Sequence, residues 1–159
     1  MARSDTPVIL LVDDEDMVVT SIKSFLTLET DYEVRGFTSP AEALDFIKSN
    51  RVDVVVSDYL MPEIDGISFL ARVKEIQPEA TRILLTGYAD KENAIKAIND
   101  VGLYQYIEKP WENDDLKLII RNGLEKRILL KRLEDKIAEV NRAHDELMSL
   151  QRDILKAFA

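Results

Sequence analysis

The sequence predicts an α/β protein: a doubly wound (βα)5 domain with a central five-stranded parallel sheet, followed by a last helix that runs on into a coiled coil. Three observations predict it. Short apolar runs of strand length alternate five times with stretches whose apolar residues recur at helical spacing. The first run is apolar throughout instead of alternating with polar residues, as a strand buried on both faces requires. Beyond Leu116 no proline interrupts the chain, and Gly123 is the one glycine there.

The elements follow in order. Val8–Val12 is the first strand. Asp16 to Leu28 carries Val18, Val19, Ile22, Phe25 and Leu26 on one helical face. Tyr32 to Phe37 is the second strand. Ser39-Pro40-Ala41-Glu42 reads as a capping box with proline at the first helical position, opening a helix to Asn50. Val52–Val56 is the third strand and leads into Ser57-Asp58. The segment Tyr59 to Gly66 is a loop by its proline and glycine, with Met61 and Pro62 shaping it. A helix follows over Ile67–Ile76, then a fourth strand over Arg82–Thr86. Asp90 caps a helix that reaches Val101 and stops at Gly102. Tyr104–Glu108 is the fifth strand, broken by Lys109-Pro110, and Asn113 or Asp114 starts the last helix.

Composition bounds the function classes. The chain has 159 residues, 46% hydrophobic and 32% charged, with no cysteine. That composition suits a globular domain, and it excludes disulfides and thiolate metal sites. No apolar run approaches the roughly 20 residues that span a bilayer, and Met1 to Pro7 lacks the apolar core of a signal peptide. A cytoplasmic location with no membrane contact is the expectation. The net charge of −9 is uneven: −10 over residues 1–112 and +1 over 113–159. Such a surface repels a phosphate backbone, so no direct DNA binding is expected of it.

In an open parallel sheet, ligands bind beyond the carboxyl ends of the strands. Asp13-Asp14 stand at the first such end, Asp58 at the third, Thr86-Gly87 at the fourth and Lys109-Pro110 at the fifth. Three carboxylates, a hydroxyl and an ammonium therefore meet at one edge. Carboxylates crowded together repel unless a cation compensates, and oxygen donors of this kind suit Mg2+, with Mn2+ as the alternative. Glu15 and Asp16 read as solvated or capping residues.

Val12-Asp13-Asp14-Glu15, Asp58-Tyr59-Leu60-Met61-Pro62 with Asp65-Gly66, Leu85-Thr86-Gly87 and Ile107-Glu108-Lys109-Pro110 together resemble the receiver domain of bacterial two-component response regulators, over residues 8–125. The resemblance implies a flavodoxin-like fold. It implies that Asp58 accepts a phosphoryl group from a sensor histidine kinase. It also implies that Asp13, Asp14, Asp58 and the backbone carbonyl of Leu60 hold Mg2+, and that Lys109 contacts the phosphoryl oxygens. Thr86 matches the switch hydroxyl, Tyr106 matches the switch aromatic, and the Lys109–Pro110 peptide is commonly cis in that family. No enzymatic activity is implied beyond Mg2+-dependent self-phosphorylation and dephosphorylation at Asp58.

Two other classes fit less well. A haloacid-dehalogenase-like phosphatase needs Asp-x-Asp-x-Thr on its nucleophile strand, and neither Asp13-Asp14-Glu15-Asp16-Met17 nor Asp58-Tyr59-Leu60-Met61 supplies it. A flavodoxin-like cofactor carrier needs a hydroxyl- or glycine-rich loop after the first strand, where acidic residues stand.

The long helix divides the chain into a receiver at 1–125 and an extended segment at 126–159. Leu130, Leu133, Ile137, Val140, His144, Leu147, Gln151, Ile154 and Phe158 are spaced alternately by three and four, a heptad seam with two polar interruptions. A helix of some 45 residues is roughly 65–70 Å long, so its distal half is expected to pair as a homodimer or to serve as a linker. His144 lies on the seam with no triad partners, so it is not read as catalytic. The run from Lys109 through Trp111 into a long helix resembles receivers joined to cyclic-dinucleotide enzymes, notably HD-GYP phosphodiesterases. The chain could thus be the amino-terminal regulatory part of such an enzyme.

Overall fold

The computed structural model describes residues 6–87, 90–100 and 102–157. The leader reading on Met1–Asp5, the helix end at Val101 and the seam residue Phe158 lie outside them. The strands are β1 (Val8–Val12), β2 (Glu33–Phe37), β3 (Val54–Asp58), β4 (Thr81–Thr86) and β5 (Gln105–Glu108). They form one sheet in the order β2-β1-β3-β4-β5, and each adjacent pair is parallel. The helices are α1 (Asp16–Glu29), α2 (Pro40–Ser49), α3 (Gly66–Ile76), α4 (Lys91–Asp100) and α5 (Asn113–Ala157). This is the flavodoxin-like doubly wound architecture that the alternation predicts.

Residue parity along the strands builds two cores. Leu10, Val12, Val55 and Leu84 pack with Leu44 of α2, Phe69 and Leu70 of α3 and Ala94 of α4. Ile9, Leu11, Val54, Val56, Ile83 and Leu85 pack with Ile22 and Leu26 of α1 and with Leu116, Ile120 and Leu124 of α5. Both faces of β1, β3 and β4 are covered, which is why these strands carry so little polar alternation.

Local chemistry sets the helix starts. Ser39 Oγ accepts from the Glu42 N–H at 3.3 Å, with Pro40 at the first position of α2. Asp65 Oδ1 accepts from the Ser68 N–H at 2.8 Å and caps α3. That helix begins at Gly66, where a Cβ would collide with the Asp58 carbonyl oxygen and the Leu84 side chain. Gly102 has φ +70, a left-handed conformation that glycine adopts without strain.

The third strand is a correction. Expected to begin at Val52 and to end at Ser57-Asp58, it begins at Val54, so Val52 and Asp53 precede it. The Asp53 backbone still bonds to both neighbours: its N–H donates to the Val8 carbonyl and its own carbonyl accepts from the Thr81 N–H, each at 2.9 Å. Gln77 Oε1 accepts from the Val52 N–H at 3.0 Å, and the buried Asp53 carboxylate accepts from the Val8 N–H at 2.8 Å. Asp58 is the last strand residue, at the strand end where the sequence places it, and pairs with Leu85.

The contacts divide the chain after Arg127. Within the first unit α5 approaches β4 closely at Gly123, whose carbonyl accepts from Thr81 Oγ1 at 2.9 Å. A side chain at Gly123 would press on Thr81 and the Tyr104 ring. The second unit is helical from Ile128 to Ala157, and its seam residues from Leu130 to Ile154 are exposed. Among the described residues no helix is long and apolar enough to cross a membrane.

Candidate functional site

The sheet order reverses direction between β1 and β3, and the crevice of an open α/β sheet lies at such a point. Asp13 follows β1 directly and Asp58 ends β3. Both are buried, at 2% and 6% exposure, whereas Asp14 is exposed. One carboxylate oxygen from each of the three lies within 4.8 Å of the others.

Lys109, just past β5, reaches across this group. Its Nζ stands 2.8 Å from Asp58 Oδ1 and 3.7 Å from Asp13 Oδ2. Its backbone N–H donates to the Thr86 carbonyl at 2.8 Å, and the Lys109–Pro110 peptide is cis. Asp58 Oδ1 also accepts from the Tyr59 N–H at 2.9 Å. Oδ1 is thus engaged twice. Asp13 Oδ1 accepts from the Glu15 N–H at 2.9 Å. Asp13 Oδ2 is buried without a hydrogen-bond partner.

The electrostatics follow from burial. Desolvation pushes Asp13 up to about 6, helped by the Asp58 charge and opposed by the Glu15 N–H. Desolvation also raises Asp58, against the pull of the Lys109 hydrogen bond. At Lys109 burial opposes the charge, but the bond to Asp58 and the two carboxylates outweigh it and hold the ammonium above its usual range. Three clustered carboxylates, one with an orphaned buried oxygen, fit a hard divalent cation with oxygen ligands.

The remaining expected residues fall around this group in different ways. Thr86 ends β4 fully buried, its hydroxyl donating to the Gly87 carbonyl at 3.2 Å. Tyr106 is half-buried on β5 opposite Leu84 and packs with the cluster on that face. Thr86, two residues beyond Leu84, shares the face with it. Leu60 stands in the loop after Asp58 with an exposed side chain. Glu15 occupies the N-cap position of α1 without a side-chain capping bond.

Two features escape sequence reasoning. Tyr59, expected only as loop, donates its N–H to Asp58, and its phenol oxygen accepts from Asn93 Nδ2 on α4 at 3.1 Å. At the opposite edge, Asp53 Oδ1 lies 3.3 Å from Arg51 and 3.5 Å from Arg127. The one signal for the second feature was an aspartate inside the run Val52–Val56.

A model of the response regulator receiver domain matches residues 9–121. The chain belongs to the response regulator receiver family. This receiver is 37% identical over 117 residues to the hydrogenase transcriptional regulatory protein HoxA of Cupriavidus necator, covering 74% of this chain and 24% of that one. Among solved structures it is similar to the signal receiver domain of an HD domain-containing protein from Pseudomonas fluorescens Pf-5. That match has 36% identity and a TM-score of 0.72, and covers 77% of this chain and 97% of the other. A receiver domain protein from Clostridium thermocellum gives 35%, a TM-score of 0.73, and 78% and 98% coverage.

The receiver spans only 24% to 31% of the length of HoxA and two further curated relatives. These relatives are named as transcriptional regulators. The expectation of no DNA binding is therefore withdrawn for any longer protein: it rested on the charge of the receiver surface, which says nothing about a domain elsewhere in a chain.

Proposed function

We propose that this receiver takes a phosphoryl group from the phosphohistidine of a sensor histidine kinase onto Asp58 Oδ2. The bond between phosphorus and the imidazole nitrogen breaks, its electron pair stays on the nitrogen, and an acyl phosphate forms. The observation that carries the reading is the Lys109 ammonium 2.8 Å from Asp58 Oδ1 in a buried carboxylate cluster. A fixed cation here offsets the charge that develops on the transferring group, in a setting where little solvent competes.

Asp13, Asp14, Asp58 and the Leu60 carbonyl would hold Mg2+, or Mn2+ in its place. Bound there, the cation would neutralise carboxylate and phosphoryl oxygens together. The product carries about −1.5 to −2 charges, by the general behaviour of phosphorylated side chains. Thr86, at the adjacent strand end, would turn its hydroxyl from the Gly87 carbonyl to a phosphoryl oxygen. Tyr106, on the same face, would move into the space released. That is a local charge change biasing a two-state element.

The segment from residue 126 onward is read as the output arm, pairing two copies in parallel. Parallel, in-register pairing sets His144 against His144 and Gln151 against Gln151, so polar groups meet polar groups. An antiparallel seam would bury each against aliphatic side chains.

Acetyl phosphate with Mg2+, on wild type and Asp58→Ala, tests the central reading by intact mass. Wild type gains one phosphoryl group and Asp58→Ala gains none; an unmodified wild type refutes it. A second reading makes the chain the regulatory part of a cyclic-dinucleotide phosphodiesterase. The likeness to a receiver of an HD domain-containing protein favours it. Hydrolysis of a cyclic dinucleotide by the full-length protein would support that reading, and no hydrolysis would sink it.

A further inference from the structure

Tyr59 touches both the acceptor carboxylate and α4. Its N–H is shared between Asp58 Oδ1 and the Leu85 carbonyl, each at 2.9 Å. Its phenol oxygen accepts from Asn93 Nδ2 at 3.1 Å, a contact 34 residues away in sequence. Its ring packs against the core cluster that includes Leu84 and Ala94. On its other side the Tyr59 carbonyl accepts from the Gly66 N–H at 2.7 Å.

We propose that Tyr59 is a positioning residue that transmits the phosphorylation state of Asp58 to α4 through Asn93. This rests on Asp58 being the phosphoryl acceptor.

The physical reason is a change in hydrogen-bond strength. An ionised carboxylate makes a charge-assisted bond, roughly twice as strong as a neutral one. When Oδ2 forms the bond to phosphorus, Oδ1 becomes the carbonyl oxygen of an acyl phosphate. Its negative charge moves outward onto the phosphoryl oxygens. The Tyr59 N–H then loses its stronger acceptor, while the Leu85 carbonyl stays in place, so the balance between the two shifts toward β4. The Gly66 bond holds the carbonyl side of the residue. Rotation therefore falls on the N–H side and on the side chain, which moves the phenol relative to Asn93. The coupling is reciprocal: whatever displaces α4 alters the hold of Tyr59 on Asp58.

Three single variants of the full chain and one double variant test this. Tyr59→Phe keeps the ring and its packing and removes only the hydroxyl. Asn93→Ala removes the other half of the bond. Asn93→Asp supplies a carboxylate that accepts from the phenol O–H. Each is incubated with Mg2+, with and without beryllofluoride, and amide exchange is read in the first turn of α4. Acyl-phosphate formation from acetyl phosphate is measured in parallel by mass.

All variants are expected to form the acyl phosphate. Wild type and Asn93→Asp show a several-fold difference in α4 exchange between the two forms. Tyr59→Phe, Asn93→Ala and their double variant share one smaller difference. A full wild-type difference in Tyr59→Phe, or a double-variant loss equal to the sum of the single losses, overturns the coupling. Failure of wild type to form the acyl phosphate overturns the acceptor reading, and the coupling with it.

Discussion

Lys109 and Asp58 are 51 residues apart in sequence, and a 2.8 Å bond from Nζ to Oδ1 joins them. The same ammonium stands 3.7 Å from Asp13 Oδ2. One cation thus serves two buried carboxylates, at distances that make it a partner of Asp58 first. Strand register sets this up. Asp58 pairs with Leu85 on β4, Thr86 pairs with Glu108 on β5, and Lys109 is the next residue.

Lys109→Ala is expected to slow acyl-phosphate formation at Asp58 by about 100-fold, the usual consequence of removing one preorganised charge-stabilising donor. Lys109→Arg is expected not to restore it, because a planar guanidinium does not reproduce a compact ammonium. The check is the time course of mass increase with acetyl phosphate. A wild-type rate in Lys109→Ala would show that the contact is only structural.

Asp13 gives a pH dependence with a definite sign. Its folded pKa, about 6, lies above the 3.8 of an unperturbed carboxyl. The folded state therefore binds that proton more tightly, and ionising Asp13 costs stability as pH rises from about 4 through 6. The difference corresponds to roughly 3 kcal/mol at pH 7. Asp13→Asn, which keeps an oxygen for the Glu15 N–H, should be more stable than wild type at pH 7. The gap should close as pH falls below 4. Added Mg2+ should stabilise wild type, by about 2.7 kcal/mol at a hundredfold excess over its dissociation constant, and chelation should reverse it. Urea unfolding across this pH range, with and without Mg2+, reads both effects. Equal stability of the two proteins at pH 7 would contradict the assignment.

Leu133 and Leu147 are 55% and 52% exposed in the single chain. Changing both to Glu should convert a dimer into a monomer without lowering the melting of the receiver unit. Light scattering together with a thermal scan tests it. A double variant that stays dimeric would move the interface off the seam.

The alternation of apolar runs and helical faces made the fold legible in the sequence. A strand buried on both faces and a helix buried on one must show those patterns in any folded chain. The acidic and basic residues at the strand ends were legible for a related reason: in a parallel sheet every such end lies along one edge. Asp13, Asp58, Thr86 and Lys109 could be placed at that edge by counting residues.

Only the tertiary structure decided which of them touch. Register fixed Lys109 on Asp58 ahead of Asp13, and burial separated Asp13 and Asp58 from the exposed Asp14. The buried Asp53 carboxylate serves the Val8 N–H and Arg127, partners 45 and 74 residues from it that no local pattern announces. Tyr59 reads as loop in sequence and acts across the fold, since its partner Asn93 reaches it only once α4 has packed. Periodicity and composition are local properties, and the chain alone determines them. Hydrogen bonds between distant side chains depend on register and close packing, and those exist only in the folded molecule.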